Sequence, residues 1–145
     1  MTPDRAMERI HAVLAHAWMV RAFLKHAEEI QEEEDFLEVH RVVFDYIRAL
    51  EPSYERRDAK EFVHRASGKL SKLRKAADYL AAEYKRISDH TNFQMAAASL
   101  KTCVDEIAAA LAAVKEAQSG ISETSPSPPT PLPEGEGSGS AELGP

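Results

Sequence analysis

Cysteine is nearly missing from this chain. Cys103 stands alone among 145 residues, so no internal disulfide can close and no cysteine-based metal site can form. That fits a reducing compartment, and the cytoplasm is the expected location. Long apolar runs are also missing. The most apolar stretch, Ile10 to Leu24, is broken by His11, His16 and Arg21, which makes it too short and too polar to span a membrane. The first residues, Met1 to Arg5, lack the basic segment and apolar run of a secretory signal. No glycine-rich phosphate loop exists, because Gly68 is isolated. No segment alternates apolar and polar residues as a half-buried strand does.

Proline and glycine are scarce over most of the chain and crowded at its end. Only Pro3, Pro52 and Gly68 precede residue 120, whereas six prolines and five glycines follow from there on. This shift divides the chain into a domain over 1–119 and a tail over 120–145. The tail reads Ser-Pro-Ser-Pro-Pro-Thr-Pro-Leu-Pro and then Glu-Gly-Glu-Gly-Ser-Gly-Ser, a composition expected to be disordered because it cannot bury enough apolar area to offset ordering. All aromatic residues lie before residue 94, which puts the core in the domain.

What the domain does contain is helical spacing. Met7, Ile10, Leu14 and Ala17 open helix 1, expected over Pro3 to Ile30 with Thr2 as its cap. Phe36, Val39, Val43, Tyr46 and Leu50 give helix 2, expected from Glu34 to Glu51 and stopping before Pro52. Asp58 and Glu61 form a capping-box-like pair ahead of Ala66, Leu70, Leu73, Ala77, Leu80, Tyr84 and Ile87 in helix 3. Phe93, Ala97, Leu100, Val104, Ile107, Leu111 and Val114 give helix 4, expected to start after Thr91, with Gln94 three residues on, and to end near Ser119-Gly120. Steps of three and four on four helices with short connections predict an all-α, antiparallel, up-and-down four-helix bundle. The break between helices 1 and 2 is expected near Gln31 to Asp35, where the apolar seam vanishes and Asp35 is available as a cap.

Charge is unevenly distributed. The chain carries −6 overall, but 1–119 holds 18 basic against 20 acidic residues, a net of −2, so nucleic acid and anionic membrane are not expected partners. Residues 28–38 carry seven acids and no base, and residues 56–75 carry eight bases. Arg65, Lys69 and Lys72 share one helix face and form a candidate anion-binding stripe. The competing structural reading is that a hairpin of helices 2 and 3, centred near residue 54 or 55, sets the acidic block against Lys69 to Lys75.

Two Glu-x-x-His pairs, Glu8/His11 and Glu61/His64, resemble the ligand motifs of di-iron carboxylate bundles. At 100° per residue both pairs project away from the apolar seam. Helices 2 and 4 also offer no acid there, so no metal and no other cofactor is expected. Arg21 to His26, and Arg57 to His64, are similar in spacing to the Arg-x4-to-6-His pattern of HEPN-type ribonucleases, which are also helical bundles. That resemblance implies Arg and His acting on a scissile phosphate and a 2′-hydroxyl. Ala22 stands where that family carries a polar residue. His40 reads as a partly buried histidine beside the helix 2 seam, and Cys103 as a small core residue. The polar run Ser88 to Asn92 reads as a turn.

One feature exceeds a simple bundle. Helix 1 is apolar almost all round, with Met19, Phe23 and Ile30 opposite its seam and Trp18 on a flank. These four residues are the candidate interface. The expected function is a non-enzymatic helical interaction or oligomerisation module, with the chain itself or another helical protein as partner and no catalytic residues. The alternatives are a small helical enzyme of either type above, or a binder of an anionic partner through helix 3.

Overall fold

A computed structural model describes residues 1–124, with side chains to residue 119. Four helices follow one another: α1 (Pro3–His26), α2 (Glu34–Glu55), α3 (Ala59–Ile87) and α4 (Thr91–Thr124), with a short 3-10 turn, Glu28–Ile30, between α1 and α2. Each helix runs antiparallel to the next. His11 meets Tyr54 and Trp18 meets Phe44 across α1 and α2. Phe36 meets Tyr79 across α2 and α3. Arg74 reaches Asp105 and Lys101 reaches Asp78 across α3 and α4. Phe23 packs on Phe93 at one end of the α1–α4 pair, while Met1 approaches Ala113 at the other. The result is the expected up-and-down bundle, with α1 also touching α3 across the diagonal.

The core is the predicted seam. Ile10, Leu24, Phe36, Leu50, Phe62, Leu73, Leu80, Phe93, Leu100 and Ile107 are all buried. Tyr46 is buried among them, and its hydroxyl donates to the Ala66 carbonyl at 2.9 Å. Burial pushes that phenol's pKa far up, so it remains a neutral donor. Thr2 and Asp58 cap as expected, accepting from the amides of Arg5 and Glu61.

Several boundaries differ from the sequence expectation, each for a local reason. α1 stops at His26, four residues early, because the Gln31 side-chain amide donates to the carbonyls of Lys25 and Ala27 and satisfies the helix end. Glu33, not Asp35, occupies the N-cap of α2, without a side-chain cap bond. α2 continues through Pro52 to Glu55. The proline forfeits only the bond to the Arg48 carbonyl, in an exposed last turn, and the Ser53 hydroxyl donates to the Leu50 carbonyl beside it. The helix then closes through Arg57 in the left-handed region (φ 58°), with the Asp58 amide bonding to the Ser53 carbonyl. α4 passes Gly120 to Thr124, and Pro126 supplies the next sequence stop. The tail expected over 120–145 lies, from residue 125 on, outside the described residues.

Candidate interaction surface

α1 and α4 leave an apolar face in solvent. Met19 is 67% exposed and Met95 55% exposed, and among the described residues they are the large apolar side chains most open to water. They lie on adjacent turns of the two helices and help line one shallow depression together with Phe23 and Ala96. Beyond Met95 the face opens into a groove of about 550 Å³, walled by Ala12, Val13, Ala98, Ser99 and Thr102. Its charged residues are Arg9 and Glu106, which pair with each other at 3.9 Å. His16 stands between the methionine end and the small-residue end.

Cys103 closes the groove floor. The thiol is buried, lies 3.7 Å from the Val13 carbonyl, and has its pKa raised by burial first and by Glu106 second. A thiol held protonated is a poor nucleophile, so Cys103 acts as packing.

The four candidate interface residues fall in different places. Met19 is on the open face. Phe23 is half-buried, with its ring 5.0 Å from that of Phe93 in a T-shaped contact, so only part of it reaches the surface. Trp18 lies on the opposite flank, half-buried against Phe44. Ile30 is a correction. It is fully buried, because the early end of α1 lets the 3-10 turn fold it back into the core. Met95 and the small residues of α4 were missed. Their signal was present as the outward stripe Met95, Ala98, Ser99 and Thr102, which the stronger seam of Phe93, Ala97 and Leu100 overshadowed.

The anion-binding stripe is divided. Arg65 is bonded to Glu61 at 2.6 Å. Lys69 and Lys72 line the α2–α3 groove beside Asp45. Lys72 and Lys75 also share a groove with Asp35 and Glu38, so the acidic and basic blocks do face each other. The register is shifted, since Phe36 lies on Tyr79 where the expected pairing of residue 35 with 74 would set it opposite Leu73, and Glu33 bonds Arg86, roughly two turns or more beyond that pairing. Arg74 turns instead to Asp105 of α4.

The enzyme-like motifs do not assemble. Glu8 accepts from the Tyr54 hydroxyl at 3.0 Å and from Arg57 at 2.6 Å, while the His11 ring stacks on Tyr54 at 3.7 Å. This cluster ties α1 to the α2–α3 turn. His64 is exposed in the α3–α4 groove, away from Arg57. His26 is exposed in the last turn of α1, whereas the Arg21 guanidinium packs against the Trp18 and Phe44 rings. Among the described residues no three His, Cys, Asp or Glu side chains gather as a metal site. Among them, too, no helix is long and apolar enough to cross a membrane.

Comparisons with family models, with curated proteins and with solved structures find no match to this chain.

Proposed function

We propose that this protein is a non-enzymatic helical module that associates with a second copy of itself through the α1–α4 face. One observation carries the reading: exposed methionines and a small-sided groove lie side by side on one face. Met19 and Met95 project at one end, and the trough beside Ala12 and Thr102 lies seven residues away along each helix, about 10 Å. A two-fold axis near His16 and Ser99 sets the methionines of each copy over the trough of the other. Such an isologous contact is the commonest form of soluble oligomer.

Charge is consistent with this occupant. The face brings one paired Arg9–Glu106 to the contact, and the domain is close to neutral, so two copies meet little repulsion. Methionine also adapts its shape to a shallow trough. Covering four partly exposed methionines contributes roughly 4–7 kcal/mol before the cost of association. Apolar surface beside Ala12, Ala98 and Thr102 has to add to this term to offset the cost of association, so the dimer is expected to be weak, with a dissociation constant on the order of 10⁻⁵ to 10⁻⁴ M. The cytoplasm, where Cys103 stays reduced, is the compartment this reading assigns.

Sedimentation velocity across that concentration range tests it. A weight-average mass rising from monomer towards dimer supports self-association. A monomer at all concentrations up to the millimolar range contradicts it.

A further inference from the structure

The α3–α4 interface treats charge in two ways along its length. In one stretch Arg74 reaches Asp105 and Lys101 reaches Asp78, so opposite charges meet across the two helices. These pairs fix the antiparallel register. Continued towards the start of α3, it sets His64 opposite Lys115, with Lys60 one turn before His64. Here two lysines gather around a histidine and no carboxylate answers them. All three side chains are exposed and line one groove, and among the described residues no Asp or Glu lines it. Glu61, between Lys60 and His64 in sequence, is bonded to Arg65 instead. Among the described residues Lys60, His64 and Lys115 enter no ion pair.

The floor of the same groove is apolar. Val63, Leu70 and Leu111 are half-buried against the core and line it with the rest of their side chains. The groove follows α3 from Lys60 to Leu70, about 15 Å, and holds about 650 Å³. Clefts that take small ligands hold roughly 300–1,000 Å³. The basic residues lie towards the Lys60 and Lys115 end, and no charged residue lines the Leu70 end.

We infer that this groove binds a single-chain anionic amphiphile of the fatty-acid class. Its carboxylate lies among Lys60, His64 and Lys115, and its alkyl chain runs over Val63 and Leu111 towards Leu70. Cations at one end and apolar surface along the rest match a ligand with one head and one tail. A compact oxyanion would use the basic end and leave the apolar floor in water. A neutral chain would cover the floor and leave the lysines unanswered. Lysine suits the role, because its stem covers apolar surface while its ammonium meets the head group. The groove shares no residue with the Met19–Met95 face, so the inference stands apart from self-association.

The test is an NMR titration of the full chain with dodecanoate below its micelle concentration. It is followed through the methyl groups of Val63, Leu70 and Leu111 and through the His64 imidazole, which should all shift with one dissociation constant. Octanoate, with a shorter chain, should bind about tenfold more weakly or worse. Acetate should leave the methyl groups unmoved. Lys60→Gln with Lys115→Gln alters two exposed side chains, keeps the fold, and should weaken dodecanoate binding about five- to tenfold. Methyl resonances that dodecanoate leaves unmoved overturn the assignment. So does equally tight binding of dodecyltrimethylammonium, or of dodecanoate to the double lysine variant, either of which would mark an unselective apolar surface. Binding that appears only after residues 125–145 are removed would make the chain's own acidic end the occupant. The same methyl shifts on raising protein concentration without dodecanoate would make it a second copy. Either result also overturns the assignment.

Discussion

The two flanks of α1 solve the same problem differently. Both begin with apolar side chains pointing away from the central seam. Towards α2, Trp18 is covered by Phe44, Arg21 packs against both rings, and Tyr54 stacks on His11. Towards α4, the opposing residues are Ala98, Ser99 and Thr102, too small to cover Met19 and Met95. An apolar helix therefore remains open only where its neighbour is small-sided. The difference lies in the partner helix rather than in α1 itself.

The comparison sharpens first in the packing beneath each flank, where the losses should differ. Phe93, buried beneath the α4 flank, should cost about 3–5 kcal/mol on replacement by alanine. Phe44, half-buried on the α2 flank, should cost about 1–2 kcal/mol. Urea unfolding of Phe93→Ala and Phe44→Ala reads both. Equal losses would mean that the α2 flank is as much a part of the core as Phe93.

Reversing Lys69, Lys72 and Lys75 to glutamate tests a surface where charge, not apolar area, decides. These lysines face Asp35, Glu38 and Asp45 across open grooves rather than in closed ion pairs. The triple reversal should therefore cost about 1 kcal/mol, and less in high salt. A loss of several kcal/mol would show that the two charge blocks fix helix pairing. A smaller effect of opposite sign is expected at Gly68, where an added Cβ meets nothing within 4 Å. Gly68→Ala should raise stability by about 0.5–1 kcal/mol.

The α2 flank also carries a pH dependence in the acid range. Burial first, and the Arg21 charge second, lower the His40 pKa in the folded chain, so the unfolded chain binds that proton more readily. The contribution is whole above the ordinary value of 6.5 and is lost as pH falls through the depressed folded value. Melting temperature should fall more steeply in the wild type than in His40→Gln as pH drops from about 7 to about 5. Parallel curves would remove His40 as the cause.

Much of this was legible in the sequence. Four apolar stripes at helical spacing, the caps at Thr2 and Asp58, and the lost seam near Gln31 to Asp35 define the bundle without any tertiary information, although the break itself opens earlier, after His26. Met19 was legible as well, since its position opposite the seam follows from 100° per residue. Ile30 was not, because its place depends on where Gln31 ends α1, and a side-chain cap from outside the helix leaves no periodic trace. Pro52 misled for a related reason: a proline breaks a helix interior but is tolerated in an exposed last turn. Met95 became visible only when α4 was laid beside α1. Arg21 looked like a charge interrupting an apolar run, and only the packing of Trp18 and Phe44 shows its guanidinium laid against two rings.

The claim that the open α1–α4 flank is a contact surface is tested most directly by Met19→Glu combined with Met95→Glu. Both side chains are largely in solvent, so the double variant should keep its helical circular dichroism and its melting temperature. Phe23 is left untouched because its contact with Phe93 would confound folding with association. In sedimentation velocity at about 100 µM, we expect the wild type to run as a monomer–dimer mixture and the folded variant as a monomer. A variant that associates as the wild type does would contradict the account.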